Sequence, residues 1–175
     1  NALEPARSNI LLKASKLSAK TEDWLTTEKL IKQIDSSLLD QQQITSYGVL
    51  YATTYMALNR PKLALNWLES NSNIVTSNIR LLQLKSQAYN GALQPIAAAK
   101  TLSELLTISA NEKDIFKYNN QIWNILTTTS SALLEDSLAN ETEKSDFSDW
   151  LVLTLLAKDS TISLPKTQQK INTPV

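Results

Sequence analysis

The residue types that carry out most enzyme chemistry are absent from this sequence. It contains no histidine and no cysteine, which excludes an imidazole general base, a thiolate nucleophile, a thiolate zinc site and any disulfide. Its two glycines, Gly48 and Gly91, lie far apart, so no glycine-rich loop can hold a phosphate group. We therefore predict a chain without catalytic residues, without a metal site and without a cofactor.

One acidic stretch needs to be weighed as a cation site. It contains Glu135, Asp136, Glu141, Glu143, Asp146 and Asp149. The stretch lacks both the tight-turn glycine and the alternating ligand spacing of a calcium loop. A solvated loop that joins two helices explains it better. No pair of carboxylates is marked out for glycoside chemistry either.

Length and charge narrow the class of protein further. The chain has 175 residues, enough for one domain with a hydrophobic core. Its 17 Lys and Arg balance 17 Asp and Glu, so we expect no attraction to nucleic acid or to an anionic membrane surface. No run approaches the roughly 18 apolar residues of a transmembrane segment.

Helix start and stop signals recur along the chain and predict nine helices and no strand. The predicted helices cover about 5–19, 24–34, 41–58, 61–70, 74–90, 95–109 and 111–126, with a short one after 130 and a last one from 146. Thr21 and Asp40 are predicted N-caps, and Gly91 is predicted to be a left-handed C-terminal cap. The helical domain is expected to span 3–159, and 160–175 is expected to be a linker toward an absent C-terminal domain.

The strongest pattern is an internal repeat of small, aromatic, small and large aliphatic residues. The pattern is clearest at Ala52, Tyr55, Ala64 and Leu68. A shift of 34 residues leads to Ser86, Tyr89, Ala98 and Leu102. A shift of 38 residues backward gives the looser set Ala14, Leu17, Thr26 and Leu30. A further shift of 34 forward gives Asn120, Trp123, Ala132 and Asp136, in which two of four classes survive.

Helix packing gives this order a physical reason. Small residues let the two helices of a hairpin approach closely, while the aromatic residue and the leucine fill the space beside that contact. A 34-residue period with this order resembles the tetratricopeptide repeat. The predicted fold class is therefore all-α, with tandem helix-turn-helix repeats forming a short right-handed α-solenoid. A generic helix bundle with accidental register is the alternative.

The repeat register also assigns a candidate binding surface. In this repeat class the first helix of each hairpin lines a concave face, here with Arg80, Gln83, Gln87, Asn90, Ser46, Val49, Thr53, Met56, Ser8, Leu11, Ser15 and Ser18. We single out Arg80, Gln83, Gln87, Asn90, Ser46 and Thr53 as possible groove contacts. This polar, almost uncharged lining suits a peptide or a glycan, although an ordinary hydrated face would look the same. The four tryptophans, Trp24, Trp67, Trp123 and Trp150, are predicted to pack in the core.

Two later segments resemble a known family. They are Asn119-Asn120-Gln121-Ile122-Trp123-Asn124-Ile125-Leu126 and Asp149-Trp150-Leu151-Val152-Leu153. Together with the preceding repeats, their order is similar to the N-terminal domain of the LpoA family of penicillin-binding protein activators, outer-membrane lipoproteins of Gram-negative bacteria. The resemblance covers about 5–159, and no binding residue can be carried over from it.

The resemblance implies a periplasmic domain anchored to the outer membrane by a lipidated Cys upstream of Asn1. It implies that the family's class A penicillin-binding protein, which polymerises and cross-links peptidoglycan, is contacted mainly by an absent C-terminal domain. The present domain would be a spacer or accessory contact, with peptidoglycan as another candidate partner. The rival interpretation is a generic tetratricopeptide adaptor that binds a peptide in its concave groove. An enzyme, such as a helical glycan lyase or hydrolase, is the least favoured.

Overall fold

The computed structural model describes residues 3–141 and 145–159, and within them the chain is entirely helical, without a strand. The helices are α1 (Leu3–Lys20), α2 (Trp24–Ile31), α3 (Gln41–Ala57), α4 (Pro61–Ser70), α5 (Ser72–Val75), α6 (Ile79–Gly91), α7 (Pro95–Ile108), α8 (Glu112–Thr128), α9 (Ser131–Asn140) and α10 (Asp146–Lys158). A 3₁₀ turn, Ser36–Leu38, lies between α2 and α3. The all-α prediction is confirmed, and the predicted linker 160–175 lies outside the described residues.

Local capping chemistry sets most of the helix starts. The Asp40 carboxylate accepts a hydrogen bond from the backbone N–H of Gln43 at 2.7 Å, and the Gln43 side chain accepts one from the backbone N–H of Asp40 at 3.1 Å. This is the predicted capping box. Pro61 and Pro95 each occupy the first turn of a helix, where a missing N–H costs no helical hydrogen bond.

Three predicted helix boundaries were wrong. The N-cap of α2 is Asp23 rather than Thr21, because the Asp23 carboxylate accepts from the backbone N–H of Thr26 at 3.1 Å. The helix predicted over 74–90 divides into α5 and α6, because the Asn78 side chain caps a new start by accepting from the backbone N–H of Leu81 at 3.0 Å. Helix α2 also ends at Ile31, and Ile34 follows it in a turn.

Three helix-to-helix turns share one backbone geometry. Glu22, Asn59 and Leu93 have φ angles of 58°, 55° and 61°. In each turn the next N–H donates to the carbonyl five residues earlier, at 3.1 Å from Asp23 to Ser18, 2.7 Å from Arg60 to Tyr55 and 2.9 Å from Gln94 to Tyr89. These are Schellman-type caps. The prediction for Gly91 was wrong: Gly91 is the last residue of α6, and the left-handed position falls two residues later, on Leu93.

The spacing of these turns corrects the repeat register. The step from Asn59 to Leu93 is 34 residues, as predicted, but the step from Glu22 to Asn59 is 37 rather than 38. The first-repeat equivalents of Ala52, Ala64 and Leu68 are therefore Ser15, Thr27 and Ile31, all with 0% exposure. By contrast Leu17, which the 38-residue shift selected, is 64% exposed.

Polar residues at two of these buried positions concealed the true register. The Ser15 hydroxyl donates to the Leu11 carbonyl at 2.7 Å, and the Thr27 hydroxyl donates to the Asp23 carbonyl at 2.8 Å. A hydroxyl that is satisfied within its own helix can be buried at a helix crossing without an unpaired polar group. Serine and threonine therefore do here what alanine does in the next hairpins.

The helices pack chiefly against their neighbours along the chain. The pairs α1–α2, α3–α4 and α6–α7 form hairpins, and α2 packs on α3, α4 on α6 and α7 on α8. Ala64 and Ala98 are fully buried within the second and third hairpins, and Leu68 and Leu102 lie beside them at 0% and 4% exposure. One continuous core joins α1 to α10.

The fourth repeat set was placed wrongly. Asn120, Ala132 and Asp136 are exposed and Trp123 is 39% exposed. The buried residues of this region are instead Tyr118, Ile122, Leu126 and Leu134. The reason is a change of packing, because α9 packs mainly on α10, and α8 lies between α7 and α10. The 34-residue shift therefore has no meaning beyond α7.

Only part of the tryptophan prediction holds. Trp67 and Trp150 are partly buried and pack against the core. Trp24 is half-buried at the edge of a surface depression, and Trp123 faces solvent. The Trp67 indole contacts an aromatic group on α3, with ring centroids 6.0 Å from Tyr47 and 6.2 Å from Tyr51.

Gly48 provides the space for that indole. A Cβ atom at Gly48 would lie 2.1 Å from Cη2 of Trp67, whereas one at Gly91 would meet nothing closer than Pro61 Cβ at 3.3 Å. We expect Gly48→Ala to lower the free energy of unfolding by about 1 kcal/mol, because overpacking of about 1–3 kcal/mol exceeds a helix-propensity gain of up to about 1 kcal/mol. Urea unfolding followed by circular dichroism measures this difference.

Gly91→Ala is the matched control for Gly48→Ala. Because Gly91 is helical and exposed, the change should stay within about 0.5 kcal/mol of the wild type. A clear loss at Gly91 would instead support the left-handed cap that the sequence suggested, and no loss at Gly48 would contradict the indole contact.

A buried carboxylate joins the first two hairpins. Glu28 on α2 is 8% exposed, and its Oε1 lies 2.6 Å from Lys32 Nζ and 3.0 Å from Arg60 Nη1. Arg60 belongs to the turn between α3 and α4. The hydrogen bond from Lys32, together with the charge of Arg60, lowers the pKa of Glu28 from its ordinary value of 4.5.

We expect Glu28→Gln to lower the melting temperature at pH 7, because it leaves Arg60 and Lys32 without their counter-charge. A carboxylate whose pKa is lowered by folding stabilises the protein above pH 4.5, and this contribution is lost as the pH falls through the lower folded value. The difference from the wild type should therefore shrink below pH 4.5. Thermal melts at several pH values test this, with exposed Glu135→Gln as a control; a difference that is constant with pH would contradict it.

Candidate functional site

Four of the six predicted groove residues line one pocket. Arg80, Gln83, Gln87 and Asn90 are spaced by three or four residues, which places them on one face of α6. They form one wall of a pocket of about 260 Å³, here called the groove pocket, whose full lining is Arg80, Gln83, Ser86, Gln87, Asn90, Leu102, Lys117, Tyr118, Gln121, Asn124 and Ile125.

The opposite wall of the groove pocket belongs to α8 and was missed by sequence reasoning. Lys117, Gln121 and Asn124 are spaced by four and three residues, so one face of α8 presents them. The register that was extended into this region selected Asn120 and Trp123 instead. The spacing of these residues, within a run rich in Asn and Gln, was the signal that could have identified this wall.

Hydrogen bonds across the pocket hold its walls together. The Gln83 amide donates to the Tyr118 hydroxyl at 2.5 Å and so connects α6 to α8. The Arg80 guanidinium reaches the Gln83 side-chain oxygen at 3.4 Å. At the base, the Ser86 hydroxyl donates to the Ala98 carbonyl at 2.9 Å, which satisfies that hydroxyl and ties the pocket to the α6–α7 crossing. Tyr118 is 1% exposed.

The charge of the groove pocket is one-sided. Arg80 and Lys117 are cationic, and none of the lining residues carries a carboxylate. Five further side chains are amides that can both donate and accept hydrogen bonds: Gln83, Gln87, Asn90, Gln121 and Asn124. Glu112 and Asp114 are in the first turn of α8 but lie outside the lining.

The other two predicted groove residues belong to a separate depression. Ser46 and Thr53 on α3 line a largely apolar hollow of about 480 Å³, together with Lys16, Ala19, Lys20, Trp24, Thr45, Val49 and Leu50. The predicted contribution of Ser8 and Ser15 was wrong, because these side chains are only 3% and 0% exposed. The one-residue error in the first repeat register explains it, since that error turned a buried face toward the groove.

The arrangement offers binding rather than proton transfer. Burial raises the pKa of Tyr47 and of Tyr51 to about 12, so both phenols are neutral near pH 7. Among the described residues, no group of three or more acidic side chains could hold a metal ion. No described helix is long and apolar enough to cross a membrane.

Comparison of the chain with protein-family models, with curated proteins and with solved structures gave no match.

Proposed function

We propose that this chain is a non-catalytic, tetratricopeptide-like interaction domain of an outer-membrane lipoprotein that activates a class A penicillin-binding protein. The observation that carries the interaction role is the groove pocket, in which two helices from successive parts of the array present amide and cationic side chains to solvent. Such a concave, polar surface on a rigid scaffold is suited to recognising an extended partner.

The repeat geometry supports the tetratricopeptide-like, right-handed solenoid arrangement. The turns at Glu22, Asn59 and Leu93 use the same hydrogen-bond pattern. The latter two are separated by the 34-residue period typical of this repeat class. Each hairpin also packs on the next, as a repeat must when it cannot bury its apolar face alone.

The lipoprotein assignment rests on the family resemblance in the α8 and α10 segments. On this proposal, the domain lies in the periplasm, with a lipid anchor upstream and the main contact for the synthase in a following domain. Its role is to space that domain from the membrane or to add an accessory contact, to the synthase or to peptidoglycan. No residue of the domain takes part in bond making.

The proposal is tested by deleting this domain from the full-length lipoprotein. We expect cells carrying the deletion to lose function, while the purified deletion protein still activates the synthase in solution, because reach matters only across the periplasm. Normal growth of the deletion strain would contradict the spacing role.

The second candidate is an adaptor that binds a peptide in its groove, and the amide-rich groove pocket favours it. The native N-terminus distinguishes the two candidates. Mass spectrometry of the natural protein should identify a lipidated Cys if the first proposal is right, whereas an unlipidated N-terminus would favour the adaptor.

A further inference from the structure

We infer that the groove pocket binds a peptide through a carboxylate of that peptide. This inference rests on the proposed interaction function and gives it a ligand class. The carrying observation is the imbalance of charge in the lining, where Arg80 and Lys117 have no carboxylate beside them. The whole chain has equal numbers of acidic and basic side chains, so this imbalance is local to the pocket.

Both cations lack an intramolecular ion pair among the described residues. The salt bridges in this part of the chain involve Lys32, Arg60 and Lys100. Arg80 has only the long contact of 3.4 Å to the neutral Gln83 side chain. Its guanidinium therefore keeps donors for a ligand, and a planar carboxylate matches the guanidinium in a two-point hydrogen bond.

The amide side chains specify a peptide around that carboxylate. Extended peptide backbone presents alternating N–H and C=O groups, and carboxamides can pair with both. Gln83 is already held in place by Tyr118, which lowers the entropy lost when a ligand is ordered. The cavity of about 260 Å³ is slightly below the range of about 300–1,000 Å³ for sites that enclose a drug-sized ligand. It is therefore suited to a short part of a peptide that continues along the groove.

The test is a titration of the ¹⁵N-labelled 175-residue chain with three hexapeptides. The first carries two glutamates and has both ends blocked. The second has glutamine in their place and a free carboxyl terminus, and the third has glutamine and both ends blocked. We expect the first or the second to shift the side-chain amide signals of Gln83, Gln87, Asn90, Gln121 and Asn124, and which one binds identifies the source of the carboxylate.

Charge variants sharpen the test. We expect Arg80→Gln and Lys117→Gln each to weaken binding about tenfold or more, because each removes a charge-assisted hydrogen bond. Lys113→Gln is the matched control, because Lys113 lies on the same helix, one turn before Lys117, but outside the lining. Binding should also weaken as salt is raised.

Three results would overturn the inference: equal binding of the blocked neutral peptide, no shift of these amide signals with any peptide, or equal loss in Lys113→Gln. If peptide binding fails while deletion of the domain still impairs the lipoprotein, the proposed function stands without this ligand. If peptide binding succeeds while the deletion has no effect in cells, the carboxylate site stands and the spacing role fails.

Discussion

Replacing Ile31 by alanine is expected to lower the free energy of unfolding by about 2–5 kcal/mol, the usual cost of a large cavity in a core. The side chain has 0% exposure and occupies the position that Leu68 has in the next hairpin. Loss of its methyl groups removes contacts that the neighbouring helices cannot easily restore. Urea denaturation followed by circular dichroism gives the value.

The control for this change is Leu30→Ala. A 38-residue offset between the first two repeats selects Leu30, whereas the turns at Glu22 and Asn59 select Ile31. Leu30 is only partly buried, so its loss should cost clearly less. A larger cost at Leu30 than at Ile31 would mean that the first hairpin has the other register.

Ala64→Leu and Ala98→Leu are each expected to destabilise the chain by about 1–3 kcal/mol through overpacking. Both alanines have 0% exposure within the hairpins α3–α4 and α6–α7. Ala98 also has a role at the groove pocket, because its carbonyl accepts the Ser86 hydroxyl. Thermal and urea unfolding measure both effects, and Ala98→Leu should in addition change the side-chain amide signals of the pocket.

Ala132→Leu is the matched control for these two variants. The extended 34-residue shift made Ala132 equivalent to Ala98, but Ala132 is exposed, so its substitution should stay within about 0.5 kcal/mol of the wild type. Tolerance of leucine at both Ala64 and Ala98 would contradict the close helix crossings.

The sequence was sufficient to predict the middle of the fold. The positions Ala52, Ala64, Ala98 and Leu102 are apolar and buried, so their side-chain class is visible in the sequence and their period could be read. Prolines at 61 and 95 and the capping box at Asp40 made the adjoining helix starts equally clear. Here local signals and packing agree.

The ends of the array could not be predicted by the same rule. In the first hairpin the crossing residues are Ser15 and Thr27, whose hydroxyls are satisfied within their own helices, so composition gave no sign of burial. Beyond α7 the partner of α8 changes, and the apolar positions Tyr118, Ile122 and Leu126 follow the new neighbours. Tertiary contacts decide such positions, and a periodic shift contains no information about them.

The candidate site follows the same division. Arg80, Gln83, Gln87 and Asn90 came from the reliable register and line one pocket. The α8 wall with Lys117 and Gln121 was missed because it belongs to the region where the register fails. Its cationic contribution is what distinguishes the pocket from a generally polar groove.

The most direct test of the proposed function is a reconstituted peptidoglycan cross-linking assay with a purified class A penicillin-binding protein. It compares the full-length lipoprotein, the form lacking this domain and residues 1–175 alone. The account predicts that the first two stimulate cross-linking to a similar degree and that residues 1–175 alone neither stimulate it nor turn over peptidoglycan. Full stimulation by residues 1–175, or turnover of peptidoglycan by them, would contradict the account.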